Sequence, residues 1–218
     1  MSDHAQGHRP QGLVGRPQVM QRLSHAARAL SSRARARRVE FARRRLLRKV
    51  PKGAACAEVG VWKGDGAAAI LRLTRPQTLY LIDPWEHQPD HEKARYGARA
   101  DSGTMDTIYE SVLQRFAPQI ERGQVKVMRS RSGQVAAEFA DGQLDWAWID
   151  GDHTYEAVKA DLESFARIVR PAGYLAGDDY MLGWWGDGVI RAVDEFVASG
   201  RGRLELIGEQ HYLIKLRG

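Results

Sequence analysis

Residues 54–66, AACAEVGVWKGDG, and residues 78–85, TLYLIDPW, decide how the rest of the chain reads. Each is a short apolar run that ends in polar chemistry, the first at Glu58, Gly60, Gly64 and Gly66, the second at Asp83. Between them Ala67–Leu73 is a small-residue stretch of helical character. Strand, glycine turn, helix and strand in that order form the repeating unit of a parallel sheet.

Working outward, the same alternation continues to the C-terminus. Strands are expected at 54–61, 78–83, 125–130, 144–150 and 173–177, then at 204–207 and 211–216. Helices are expected at 67–73, 107–116, 133–139, 155–169 and 189–198. Short apolar strands interleaved with helices predict an α/β fold, a mostly parallel seven-stranded sheet with helices on both faces. The last two strands are joined only by a turn near Gly208–Gln210, too short for a parallel crossover, so they are read as an antiparallel hairpin.

Upstream the composition changes. Residues 1–53 hold 14 Lys/Arg against 2 Asp/Glu, whereas the remainder is net acidic, so the formal charge of +6 belongs to the N-terminal segment. Residues 1–15 are polar and expected to be flexible. Residues 16–53 read as an Arg-rich extension of two helices, broken at Ser31-Ser32 and ended by Pro51-Lys-Gly53. Residues 54–218 form the main domain, and 218 residues suffice for one sizeable core. No apolar run is long enough to span a membrane. MSDHAQGHRP lacks a secretory apolar core, and the single cysteine, Cys56, can form no internal disulfide. A cytoplasmic location is the expectation.

In an open α/β sheet, ligands bind beyond the carboxyl ends of the strands. Asp83, about twenty residues past the glycine turn, is placed to accept the hydroxyls of a ribose. Glu58 would repel a pyrophosphate and suits an amine-bearing ligand, and the dinucleotide pattern G-x-G-x-x-G is absent. A nucleoside cofactor other than a dinucleotide is therefore indicated. The fourth strand ends in Asp150-Gly-Asp-His153 and the fifth in Gly177-Asp178-Asp179-Tyr180. Three carboxylates on one edge repel unless a cation or shared protons compensate, and an oxygen-rich set suits Mg²⁺, with Mn²⁺ as the alternative. His153, three residues past Asp150, is a candidate general base. Read without a ligand, Asp152 and His153 would only cap the helix that starts near Tyr155.

Taken together, Glu58-x-Gly60-x-x-x-Gly64, Asp83, Ile149-Asp-Gly-Asp-His153-x-Tyr155 and Gly177-Asp-Asp-Tyr180 resemble the class I S-adenosylmethionine-dependent methyltransferases. More narrowly they resemble the macrocin-type, metal-dependent sugar O-methyltransferases, with catechol-type enzymes more distant. The resemblance covers residues 54–218 and implies the Rossmann-like class I methyltransferase fold. It further implies that Glu58, Gly60 and Gly64 wrap the methionine part of S-adenosylmethionine, that Asp83 holds its ribose, and that Ser130 borders its adenine. Asp150, Asp178 and Asp179 would ligate the metal, and His153 would deprotonate an acceptor hydroxyl bound to it. Where catechol-type enzymes carry Asp-Asn, this chain has Asp178-Asp179, which points to a sugar or glycoside acceptor.

Several features lie outside those motifs. Trp184 and Trp185 sit in a Gly-rich loop and could form a lid over the acceptor, or equally pack into the core or a subunit contact. Trp146 and Trp148 alternate on one strand face and read as core. The segment 86–105 is expected to border the acceptor site; its His87 and His91 share a helical spacing but lack a third partner for zinc. The Arg run from Arg33 to Arg48 raises nucleic-acid or anionic-membrane binding as an alternative class, which the acidic body argues against. The acceptor is thus expected to be a small molecule or oligosaccharide, a phenolic metabolite being the nearest competitor, and the N-terminal helices to build a homodimer.

Overall fold

The computed structural model describes residues 16–90, 96, 97, 100–183 and 185–218, with side chains from Ser32 onward. Two compact units are distinguished, Met1–Arg38 and Val39–Gly218. Helix α1 is one unbroken helix, Arg16–Leu47, and the expected break at Ser31-Ser32 does not occur. Serine competes for backbone hydrogen bonds, but here the pair is flanked by Leu30 and Arg33, both strong helix formers.

In the second unit the elements follow as β1 (Ala55–Val59), α2 (Asp65–Thr74), β2 (Thr78–Asp83), α3 (Ser102–Glu121) and β3 (Val125–Arg129). Then come α4 (Ser132–Val135) with a 3₁₀ turn at Ala136–Glu138, β4 (Leu144–Ile149), α5 (Tyr155–Ile168) and β5 (Val169–Gly177). Helix α6 (Gly188–Ala198) and the hairpin β6 (Gly202–Ile207) and β7 (His211–Leu216) complete the chain. The seven strands are ordered β3-β2-β1-β4-β5-β7-β6, parallel except for β7, which is antiparallel to both of its neighbours. This is the α/β architecture expected.

Helix α3 and strand β5 run well beyond their sequence pattern. Helix α3 begins at Ser102 because the Asp101 side chain caps it, accepting from the Thr104 N–H at 2.6 Å, and it continues through Pro118 so that Ile120 reaches the core. Strand β5 starts at Val169, paired to Leu144, before an irregularity that contains Pro171 and Ala172 at φ 58°. Pro171 has no N–H to offer the ladder, so the regular pattern is visible only from Gly173.

Period-two alternation divides the core between the two faces of the sheet. Cys56, Trp146 and Trp148 face a cluster that holds Leu46, Leu47, Ile70, Val112 and Phe116 from α1, α2 and α3. Ala57, Val59, Ala147 and Ile149 face Val158, Leu162, Phe165, Val193 and Phe196 from α5 and α6. The C-terminal end of α1 thus belongs to the core of the second unit. Among the described residues no helix is long and apolar enough to cross a membrane.

Register brings the polar strand ends to one level. Val59 pairs with Ile82 on one side and Ile149 on the other, Asp83 pairs with Arg129, and Ile149 pairs with Gly177. Gly60, Asp83, Ser130, Asp150 and Asp178 therefore emerge side by side along the carboxyl edge.

Candidate active site

The glycine turn is fixed to its neighbours by backbone contact. Gly60 has φ 84°, donates its N–H to the Ile82 carbonyl at 2.9 Å, and lies so close to Asp150 that a Cβ would collide with the Asp150 carbonyl. The Asp150 N–H in turn bonds the Val59 carbonyl at 2.8 Å. Gly66 leaves room for the Glu58 carboxyl, which a Cβ there would overlap. Glu58 is buried and its Oε2 has no hydrogen-bond partner. Burial, reinforced by Asp150, pushes it well above the usual carboxylate range.

Asp83 holds the turn from the other side. Its Oδ2 accepts from the N–H groups of Val61 and Trp62, both at 2.9 Å, and its Oδ1 accepts from Trp85 N–H at 2.7 Å. Trp62 and Trp85 both have positive φ, 51° and 42°, a conformation that costs bulky residues energy and that these three bonds help to maintain. Burial raises the Asp83 carboxyl despite those donors. Oδ1 retains lone-pair capacity for another donor. Beyond Asp83 a cavity of about 440 Å³ is bordered by Trp85, Glu86, His87, Ser102, Ser130 and Gln134. The Ser130 hydroxyl bonds Gln134 Oε1 at 2.9 Å. His91 lies outside the described residues, so the expected His87–His91 pair is not described.

The carboxylate edge is organised differently from a ring of three acids. His153 Nε2 lies 3.0 Å from Asp179 Oδ2 and 3.5 Å from Asp150 Oδ1. One donor atom from each of Asp150, His153 and Asp179 falls within 4.8 Å of the others, close enough to share an ion. Asp178 is turned to other partners. Its Oδ2 accepts from Arg43 Nη2 at 2.9 Å, and its Oδ1 accepts from Gln210 Nε2 at 2.7 Å and from the Asp179 N–H at 2.8 Å. His153 is not a helix cap: Thr154 caps α5, and Asp152 Oδ1 accepts from the Thr154 N–H at 2.9 Å.

The electrostatics follow from this arrangement. Burial works against the charge of His153, but Asp150 and Asp179 outweigh it and push its pKa up to about 10. The imidazole is therefore protonated near neutrality, with the two acids as its counter-ions. Asp150 is raised by burial, with His153 opposing and Asp178 adding. Arg43 stays charged because Asp150 and Asp178 outweigh its desolvation.

The loop 181–187 leans on this cluster. Gly183 and Gly186 bond each other through both backbone pairs, at 3.1 and 3.0 Å, and Gly188 has no room for a Cβ beside the His153 carbonyl. The Trp185 ring stacks on His153 with centroids 4.6 Å apart. Trp184, the other tryptophan of the expected lid, lies outside the described residues.

Sequence reading missed Arg43, Gln210 and His211. Arg43 is four residues from buried Leu47 on α1, a spacing that puts both on one helix face and could have separated it from its neighbouring arginines. Gln210 and His211 reach Asp178 because β7 pairs with β5 through Gly177 and Tyr212.

The fold of this site recurs in solved structures. A protein designated an rRNA methylase from Clostridium thermocellum superposes with a TM-score of 0.59 at 10% identity, covering 83% of this chain and 96% of that one. SMU.1697c from Streptococcus mutans, solved in complex with SAH, gives 0.56 at 11% identity over 82% and 97%. At such identities the likeness is one of fold. Uncharacterized protein R132 of Acanthamoeba polyphaga mimivirus is 38% identical over 56 residues, so the chain matches about a quarter of that protein's length and of its own. More than half of this chain, residues 57–180 with the glycine turn and every carboxylate of the edge inside it, matches the methyltransferase domain family, and the chain belongs to that family.

Proposed function

We propose that the protein transfers the methyl group of S-adenosylmethionine to a hydroxyl oxygen of a sugar or glycoside. The observation that carries this reading is the backbone contact between Gly60 and Asp150, which sets the cofactor-type turn against the acid–base cluster. A methyl donor held in the turn and a hydroxyl held at Asp150 and His153 would then be neighbours, as in-line displacement requires.

The residues fit the cofactor. Glu58, buried with an orphaned oxygen, is suited to the ammonium of the methionine part, beside Gly60 and Gly64. Asp83 Oδ1 would take a ribose hydroxyl, and Ser130 with Gln134 would border the adenine at the cavity. When bound, the cofactor supplies an electrophilic methyl on a sulfonium.

The residues also fit a divalent ion, through Asp150 and Asp179 with His153 beside them, whereas Asp178, the third aspartate expected, is engaged by Arg43. Two carboxylates completed by water or acceptor oxygens suit Mg²⁺ or Mn²⁺. When bound, such an ion lowers the pKa of a coordinated hydroxyl and takes up the carboxylate charge that keeps His153 protonated. His153, left outside the ion's ligands, would hold the acceptor's proton on Nε2, with Asp150 and Asp179 beside it. Trp185, stacked on that ring, would shield it from water and offer its edge to a sugar. The acidity of this edge supports a neutral, polyhydroxylated acceptor over a polyanion such as RNA.

Calorimetric titration of S-adenosylmethionine, then of Mn²⁺ or Mg²⁺ with a panel of vicinal-diol sugars, tests the reading on wild type and Asp150→Asn. The expectation is cofactor binding to both proteins and metal-dependent sugar binding to wild type alone. Cofactor binding with no metal response would leave a methyltransferase without the ion, and no cofactor binding would overturn the proposal.

A further inference from the structure

Arg43 enters the carboxylate edge from helix α1. The last turns of α1 are anchored by Ala42, Leu46 and Leu47, all buried, and Gly208 in the β6–β7 turn is so close that a Cβ would press on Ala42. Lys49 pairs with Glu205 on β6 at 2.9 Å. This docking aims Arg43 along the edge, with its guanidinium 5.3 Å from the Trp148 ring centroid, 2.9 Å from Asp178 Oδ2 and 4.0 Å from Asp150 Oδ2. Its Nε is buried without a hydrogen-bond partner. A buried donor left unsatisfied is costly, so the ion pair and the ring contact must outweigh that cost.

We propose that Arg43 is a built-in counter-cation that withholds Asp178 from any external ion and so confines metal binding to Asp150 and Asp179. The inference rests on the metal-assisted reading above and adds a positioning residue to it. Three carboxylates crowd this edge, and the chain supplies a permanent cation of its own, Arg43, at Asp178. A divalent ion arriving there meets positive charge within 4.0 Å of Asp150. With Arg43 neutralised, Asp178 Oδ2 would be released toward Asp150 and could join the ion's ligands, restoring the three-aspartate set. Arg43 therefore sets both the affinity and the donor composition of the site.

The experiment is Mn²⁺ binding to the full chain, followed by electron paramagnetic resonance of free Mn²⁺, with S-adenosylmethionine calorimetry as the check on folding. The proteins are wild type, Arg43→Met, Arg43→Lys, Asp178→Asn and the Arg43→Met/Asp178→Asn double variant. Expected are a gain of tenfold or more in Mn²⁺ affinity for Arg43→Met, its abolition in the double variant, and changes within threefold for Arg43→Lys and for Asp178→Asn alone. Should Arg43→Met fail to fold, Arg43→Gln, which keeps a neutral donor for Asp178, is read in its place against the same expectation. Unchanged or weaker Mn²⁺ binding in the neutral variants, with cofactor binding intact, overturns the inference while leaving the metal reading in place. If no variant binds Mn²⁺, both fall; cofactor binding then still stands as a separate result.

Discussion

Replacing Asp161 by asparagine should make the protein more stable at neutral pH, and less so as the pH falls. Asp161 on α5 is 5% exposed, and its Oδ1 accepts from the Ser132 hydroxyl at 2.6 Å, tying the segment that follows β3 to the helix that follows β4. Burial pushes its pKa from 3.8 up to about 6, with Ser132 opposing and Asp152 adding. A carboxyl whose pKa is higher in the folded than in the unfolded state is more protonated when folded. Stability is accordingly lost as pH rises from about 4 through 6, and is level above that. A shift of roughly two units at about 1.4 kcal/mol each gives about 3 kcal/mol as the span of that loss. Asparagine keeps the acceptor for Ser132 but cannot ionise, and its amide N–H groups cost about 1–2 kcal/mol if they find no acceptor. The net expectation is a gain of about 1–2 kcal/mol at pH 7.5, falling to zero or a small loss at pH 4.5. Urea unfolding at half-unit pH steps measures it, since all other titrations cancel in the difference between the two proteins. A difference that stays constant with pH, or grows on acidification, would refute the assignment of a strained, buried carboxylate here.

Three further outcomes follow from the site. Gly60→Ala forces a side chain at φ 84° into the Asp150 carbonyl, so it should cost about 2–4 kcal/mol in urea unfolding and abolish cofactor binding by calorimetry. Asp83→Asn leaves an amide against backbone N–H donors on one of its two atoms. It should lose about 1–3 kcal/mol of stability and at least tenfold in cofactor affinity by calorimetry, and unchanged affinity would refute a cofactor role for Asp83. His153→Gln should lower the rate of methyl transfer by roughly 10²–10⁴-fold with cofactor affinity within threefold, measured by isotope transfer at saturating cofactor.

The sheet was legible because each strand carries its own boundary signal. Alternation set the two core faces, and Glu58-x-Gly60, Asp83 and Asp150 mark the points where β1, β2 and β4 run out of apolar residues. The hairpin followed from the shortness of the Gly208–Gln210 turn. Less legible were features that depend on what one element does to another. Ser31-Ser32 reads locally as a break, but the helix formers around it override that signal in α1. Pro171 and Ala172 hide the first half of β5 from any strand pattern, although Val169 is already paired with Leu144. Asp178 and Asp179 are adjacent and chemically alike in sequence, yet one faces Arg43 and Gln210 and the other faces His153. Asp179 turns off the strand direction at φ 60°, and what meets each carboxylate is set by α1, by the β4–α5 loop and by β7, none of which the local sequence shows.

That separation bears on how acidic clusters are read in general. Three carboxylates brought to one edge repel unless a cation or shared protons compensate. The error open to such reasoning is to assume that the charge must come from solution. Here an arginine from an element outside the sheet stands at Asp178, and the histidine nominated as a base is protonated between Asp150 and Asp179. Eight arginines between Arg33 and Arg48 make any single one inconspicuous, and composition alone assigns the whole run to solvent or to a polyanion. Helical geometry is more discriminating: Arg43 lies four residues before Leu47 and next to Ala42, both buried in the core against the sheet. A buried stripe at helical spacing with one cation on its line is a signal that a helix delivers charge to a core. In this chain it leads from the least interpretable segment of the sequence to the most acidic part of the site.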